Sequence, residues 1–360
     1  MSKFNVISAD SHVVEPPEIW PQYVEAKYRD RAPHVKREKE TDVYLCEGMS
    51  LIGLGLMAGA GRADGEVRRE GRWEEVMPGA YDPHKRLKDM HIDGVDAEVV
   101  YPTVGLQLFL VKDQALQTAL FQAYNSWVAD FCKQESKVLK GIALISTSDI
   151  EWAVGELKRA RKLGLCGAMI SVWPSADGAL YDQQRYEPLW ATAAAEGLPV
   201  SLHIATQARD VGHSLVDLAL LPVWVERSIG AIMISGVFDR YPNLKIVSAE
   251  HDIGWAGNFI ERMDSLCTRG GKLREGVNHK RLPSEYFHNN VSMTFMKDRT
   301  GIASRNIIGV DRIMWSSDYP HHSATWPKSQ QVLAKQLDGV PEHERRQIVC
   351  DNAARLYGFN

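Results

Sequence analysis

Residues 149–173, DIEWAVGELKRARKLGLCGAMISVW, hold one complete copy of the unit from which the fold is read. Asp149 stands where a helix N-cap is wanted, because its carboxylate can accept from the open N–H groups of a first turn. Apolar residues then recur at helical spacing as far as Gly164. Glycine there suits a helix end, where the chain turns through left-handed backbone. LCGAMISVW follows at once, a short and nearly continuous apolar run of the kind a strand covered on both faces requires.

The same unit recurs in both directions along the chain. Upstream, DPHKRLKDMHIDG reads as a helix with a glycine stop and DAEVVYPT as a strand ending near Tyr101. KDQALQTALFQAYNSWVADFCKQES is a long helix, and LKGIALIS a strand. Downstream come a helix in YEPLWATAAAEG, a strand in LPVSLHIA, a helix over about Leu215–Ile229 and a strand in NLKIVSAE. A helix from about Ile253, a strand in YFHNNVSMTF, a helix near Thr300–Asn306 and a strand in DRIMWSSD follow. Two helices, about Thr325–Leu337 and Glu342–Tyr357, end the pattern.

With FNVISAD counted first, eight strands alternate with helices. Repetition of this number predicts an α/β fold, a (β/α)8 TIM barrel, over a single domain 1–360. An open doubly wound sheet is the alternative, since pattern alone does not show closure. An inserted excursion of about 16–82 follows the first strand and would serve as a lid or a dimer contact. Its glycine-rich part, GLGLMAGAGRADG at Gly53–Gly65, lacks the flanking strand and helix of a phosphate cradle. Charged RREGRWEE comes next, so a mobile excursion is expected there.

Bulk properties narrow the function. The chain has 360 residues, 44% hydrophobic and 24% charged, with net charge −4 and charges of both signs interspersed. That leaves no electrostatic footprint for nucleic acid or an anionic membrane. The five cysteines (Cys46, Cys132, Cys166, Cys267, Cys350) are scattered and form no CxxC, which argues against a disulfide framework or structural zinc. No signal-type N-terminus is evident, and no apolar run nears the roughly 20 residues of a membrane span. A soluble, cytoplasmic protein acting on a small molecule is expected.

In such barrels chemistry collects at the carboxyl ends of the strands. The first strand ends in Asp10 and His12, whose period-two spacing aims both side chains one way. The fifth ends at His203, the sixth at Glu250 and His251, and the eighth at Asp318. A lone strand-end aspartate often caps a helix, and a lone histidine is often a hydrogen-bonded structural residue. Two histidines and two aspartates converging from strands one, five and eight are a different matter. Asp10, His12, His203 and Asp318 make a donor set suited to one divalent ion, Zn²⁺ first and Mn²⁺ second.

The segments ADSHVVEP, DPHKRLKDMHIDGVDAEVVYPT, GLPVSLHI, GVFDRYPNLKIVSAEHDIGW, IMWSSDYPHH and DNAARLYGF occur in this order over nearly the whole chain. As a set they resemble the amidohydrolase superfamily, in particular its amidohydrolase-related group, which includes aminocarboxymuconate-semialdehyde decarboxylase and the resorcylate and carboxyvanillate decarboxylases. The resemblance implies a barrel with a mononuclear metal centre. Asp10 and His12 match the paired ligands of the first strand, and His203 the strand-five ligand. Asp318 matches the strand-eight aspartate that sits at the metal and handles a proton. His251 falls where relatives carry a catalytic histidine. LCGAMISVW lacks the bridging lysine of binuclear members, which implies one ion. The resemblance also implies a homodimer or larger assembly. The chain departs from the pattern at Asp10, where relatives have His or Glu, and at AEHDIGW, which replaces GHMGE.

Two chemistries suit such a centre. One is non-oxidative decarboxylation of an aromatic or conjugated acid, with Asp318 and His251 as the catalytic pair; the best-matched relatives favour it. The other is hydrolysis of an amide, lactone or thioester by activated water. A degenerate, non-catalytic barrel is the reading from a different class. Arg209 is a candidate anion anchor, as are the arginines of Gly61–Trp73. Tyr101 and Trp173 are candidate walls of an aromatic pocket, or ordinary packing. His321, in the DYPH match, is expected to partner Asp318, and His322 to lie at the surface.

Overall fold

Near-continuous apolar runs are covered on both faces when helices flank a parallel sheet, and the computed structural model has this arrangement. It describes residues 3–174, 179–206, 214–270 and 278–360. In chain order the strands are β1 (Ile7–His12), β2 (His34–Arg37), β3 (Asp42–Cys46), β4 (Met49–Ser50), β5 (Ala97–Tyr101) and β6 (Leu139–Leu144). They continue with β7 (Gly167–Ser171), β8 (Val200–His203), β9 (Ile246–Ala249), β10 (Val291–Phe295) and β11 (Ile313–Trp315). β1 and β5 to β11 pair in that order, every neighbour parallel. The ring closes at its carboxyl rim, where Asp318 N donates to Asp10 O at 3.1 Å and His12 N to Tyr319 O at 2.6 Å. This is the expected (β/α)8 barrel.

The expected caps form. Asp149 accepts from Trp152 N, and Gly164 ends its helix at φ 86°. Two elements differ from expectation. The YFHNN half of the seventh strand segment is helical, within Pro283–Asn290, and β10 begins only at Val291. Pro283 starts that helix, Glu285 caps back onto Leu282 N at 2.8 Å, and Asn290 ties its end to Pro242 O and Leu244 O. The helix expected over Leu215–Ile229 is two helices, Leu215–Ala219 and Pro222–Ile234, because Pro222 cannot continue the first and favours a new first turn.

The excursion is a built structure. β2, β3 and β4 form an antiparallel sheet, and Asp42 holds Arg37 and Arg72, each at 3.0 Å, and Trp73 N at 2.9 Å. The glycine-rich stretch, expected as a mobile loop, packs against the loop that follows β11: His322 N donates to Leu56 O and Ala60 N to Pro320 O. A Cβ on Gly55 would lie 2.3 Å from Glu70 O, and one on Gly59 2.7 Å from His322 Cβ, so only glycine allows the approach. Arg62, Arg68 and Arg72 bond within the excursion, to Glu75, to Asp42 and to main-chain oxygens. They brace it.

Beneath the rim, Arg86 of the helix Pro83–Asp93 is fully buried. Its Nε donates to Glu98 on β5, and its Nη1 to His12 O at 2.7 Å and Gly79 O at 3.3 Å. Its guanidinium lies 5.0 Å from the Tyr319 ring centroid. One cation thus joins β1, β5, the excursion and the strand-eight loop. Removing one partner of a buried pair strands the other charge, so Arg86→Met is expected to cost about 3–5 kcal/mol in urea unfolding. Arg86→Met combined with Glu98→Met should recover part of that loss; a double variant weaker by the full sum of both singles would contradict the pairing.

Candidate metal centre

Four strand ends bring their polar residues together at the carboxyl rim. Asp10 Oδ1 lies 3.3 Å from His12 Nε2 and 3.5 Å from His203 Nε2; Asp318 Oδ1 lies 3.5 Å from His12 Nε2. Asp10, His12, His203 and Asp318 are all buried. Metal–ligand bonds of about 2.0–2.2 Å at tetrahedral angles put neighbouring donors roughly 3.3–3.6 Å apart. The observed spacings match a shared cation.

A second observation supports that fit. Asp10 Oδ1, His12 Nε2 and His203 Nε2 are buried with no hydrogen-bond partner among the described residues, a costly state for three polar atoms facing one another. The opposite ring nitrogens are engaged: His12 Nδ1 contacts Pro102 O at 2.7 Å, and His203 Nδ1 contacts Ile204 O at 2.8 Å. A carbonyl only accepts, so each Nδ1 carries the proton. Each Nε2 then turns its lone pair inward, the tautomer of a ligating histidine.

Electrostatics agrees in direction. Burial opposes charge on Asp10, but His203 and His12 beside it outweigh burial and hold its carboxyl well below the usual carboxylate range. Burial, then His321, pushes His12 down to about 4, so its nitrogen is free of a proton at neutral pH. His203 moves the other way, since Asp10 overcomes burial and favours the charged ring. That proton must leave before its nitrogen can ligate.

Asp318 sits in left-handed backbone at φ 56°, uncommon outside glycine. His321 Nδ1 donates to its Oδ1 at 2.8 Å and Ser323 Oγ to its Oδ2; His321 Nε2 reaches Thr103 Oγ1 at 2.8 Å. Both nitrogens of His321 are therefore engaged, which makes it an orienting partner of Asp318. Burial opposes charge on Asp318, but His321 lowers its pKa.

The sixth strand end adds a carboxylate to the centre. Glu250, noted in the sequence without a role, points to the centre from φ 60°, with Oε2 3.5 Å from His203 Nε2 and 3.8 Å from His12 Nε2. Its side chain is 18% exposed, whereas the four residues above are sealed. His251 is buried beside Ser248 (Oγ to Nδ1 3.4 Å), its Nε2 has no hydrogen-bond partner among the described residues, and burial, then His203, pushes its pKa down to about 3. Thr294 on β10 went unnoticed: its Oγ1 donates to Asp10 Oδ2 at 3.1 Å and accepts from Glu250 N at 2.9 Å. A threonine inside an apolar strand gives no sign of that in one dimension.

Tyr101 lies under the histidines, ring centroid 5.2 Å from His203, with its hydroxyl on Ser201 at 2.8 Å and Tyr357 at 3.3 Å. It backs the centre from inside the barrel. Trp173 is buried edge-on to Trp224 at 4.9 Å, with Arg227 over its ring at 4.8 Å. Arg209 lies outside the described residues, and His322 is exposed. Among the described residues no helix is long and apolar enough to cross a membrane.

Gamma-resorcylate decarboxylase of Polaromonas sp. (strain JS666) is 28% identical over 78% of this chain and 87% of its own length. An amidohydrolase from Mycobacterium avium subsp. paratuberculosis K-10 superposes with a TM-score of 0.80 at 21% identity, over 99% of this chain and all of that one. The 5-carboxyvanillate decarboxylase of Novosphingobium aromaticivorans DSM 12444, complexed with manganese and 4-hydroxy-3-methoxy-5-nitrobenzoic acid, gives 0.73 at 20% identity, over 99% and 96% of the two chains. The amidohydrolase family model matches residues 72–359, the span from the end of the excursion through the last strand and beyond, and with that match the chain belongs to the amidohydrolase family.

Proposed function

We propose that the protein is a metal-dependent, non-oxidative decarboxylase of an aromatic or conjugated carboxylic acid. The observation that carries this is the inward-facing trio of partnerless atoms on Asp10, His12 and His203, with Asp318 and Glu250 at its edge. Decarboxylases among the relatives favour the reaction. Asp10, His12, His203 and Asp318 would hold one divalent ion, and the manganese of a structural neighbour makes Mn²⁺ as good a candidate as Zn²⁺. When bound, the ion supplies positive charge against which a carboxylate and an adjacent phenolic or enolic oxygen can be held, and against which negative charge can develop.

The chain's own residues supply the rest. Asp318, gripped by His321 and Ser323 and ionised, takes the proton of the substrate's phenolic or enolic hydroxyl and delivers it to the ring carbon that bears the carboxylate, ending as the carboxylate again. The carbon–carbon bond then breaks, its electron pair returns to the conjugated system, and CO₂ leaves. Thr103 fixes the far side of His321, so the carboxylate keeps one orientation. Glu250, open to the mouth, bounds the space where the substrate enters.

One observation favours hydrolysis as a second reading. Glu250 is partly exposed with its Oε2 3.5 Å from His203 Nε2 and 3.8 Å from His12 Nε2, where it could take a proton from attacking water. The discriminating experiment supplies metal-replete protein with 2,6-dihydroxybenzoate, 5-carboxyvanillate and other conjugated acids under CO₂ detection. CO₂ released stoichiometrically with substrate loss is the expected result. No CO₂ from any acid, with turnover of amides, lactones or thioesters, overturns the proposal in favour of hydrolysis.

A further inference from the structure

At the opposite end of the barrel the amino-terminal ends of β8 to β11 surround a recess of about 460 Å³. Strand ends on this face ordinarily serve stability rather than chemistry, and apolar or charge-balanced side chains would be expected. Lys245, Arg312 and Arg355 line it instead, with Asp311 the one carboxylate. This surplus of two positive charges stands out in a chain of net charge −4.

The cations are poorly matched by the protein. Among the described residues Lys245 Nζ bonds only the main-chain oxygen of Asn289, at 2.7 Å. Arg355 Nη2 bonds the main-chain oxygen of Asp311 at 3.1 Å and Asn352 Oδ1 at 3.0 Å. Neither has a carboxylate partner among the described residues, and Asp311 is taken by Arg312. Burial, then Arg312 and Arg355, pushes the Lys245 pKa down, as expected of like charges crowded without an anion between them. Ser292, 7% exposed on β10, also lines the recess, and its hydroxyl makes no hydrogen bond within the described residues. The helix Glu187–Glu196 ends at this wall and contributes partial negative charge of about half a unit at most, which leaves the balance positive.

We propose that this basal recess is a binding site for a small phosphate-class dianion, as free orthophosphate or as the phosphoryl group of a small monoester, separate from the metal centre. A tetrahedral dianion offers several acceptor oxygens in different directions, which suits a recess lined by the donors of Lys245, Arg312, Arg355 and Ser292. A monocarboxylate has one charge and two coplanar oxygens, and fits this donor set less well.

The test is calorimetric titration of the full-length, metal-loaded protein with orthophosphate and, separately, glycerol 3-phosphate, at ionic strength held constant with chloride. One saturable equivalent is expected, weakened about tenfold or more by Lys245→Gln and by Arg355→Gln. Lys162→Gln, which removes a basic residue from a different recess, should leave it unchanged. The tighter of the two titrants identifies the source of the phosphoryl group. Binding that survives both substitutions places the anion elsewhere, the metal centre included, and overturns the proposal; so does the lack of saturation by about 10 mM. Circular dichroism monitors folding. Lys245 is half-buried and holds one hydrogen bond, so Lys245→Gln alone suffices should Arg355→Gln misfold.

Discussion

Protein carrying His203→Ala, purified without chelator, is expected to retain less than about a tenth of the divalent metal of the unaltered chain. The imidazole is fully buried, its Nδ1 anchored on Ile204 O and its Nε2 3.5 Å from both Asp10 and Glu250. Alanine deletes a donor whose orientation the backbone has already set and opens a gap that no neighbouring donor can fill. Asp10, Asp318 and Glu250 then share a pocket with only His12 to ligate alongside them. Elemental analysis is the measurement, and His12→Ala should behave alike. A second readout is thermal: a ligand present at 100 times its Kd raises stability by about 2.7 kcal/mol, so added Mn²⁺ or Zn²⁺ should raise Tm in the unaltered chain but not in His203→Ala. Full metal content in both histidine variants would refute the centre. An unaltered protein holding under about half an equivalent, with no restoration by added metal, would support the non-catalytic barrel instead.

Asp318→Asn should separate binding from chemistry. The amide keeps the shape of the carboxylate and can still accept from His321 Nδ1 through its oxygen, while Ser323 turns to accept from the new NH₂. Most of the metal should stay, because Asp10, His12 and His203 are untouched. The amide cannot take up and release a proton at neutral pH, so turnover should fall by about a thousandfold or more. Metal content measured beside kcat decides the matter. Turnover within a few-fold of the unaltered enzyme would remove Asp318 from proton transfer. Loss of metal in step with activity would make it a ligand first.

How much of this was legible varied with the range of the interaction. Helix caps at Asp149 and Gly164 depend on neighbours within a few residues, and they form where the sequence indicates. The seventh strand starts later than its sequence indicates, because YFHNN carries apolar residues that serve a buried helix face as well as a strand. On β1 the period-two argument aimed Asp10 and His12 correctly. Yet the strand is irregular between Ser8 and Ser11, whose hydroxyls meet at 2.8 Å although three residues apart. A regular strand would send those two to opposite faces.

From one dimension alone come the eight alternating units, the family resemblance, and the strand-end donors Asp10, His12, His203 and Asp318. Each follows from hydrophobic periodicity or from residue type at a strand terminus, properties written locally. Only the folded chain added Glu250, whose Oε2 comes within 3.5 Å of His203 Nε2 from left-handed backbone. Only the fold turned Gly53–Gly65 into packing against the strand-eight loop, enlisted Thr294, and gathered Lys245, Arg312 and Arg355 at the base. Those outcomes rest on contacts between residues tens to hundreds of positions apart, and barrel closure sets such distances where no local pattern can.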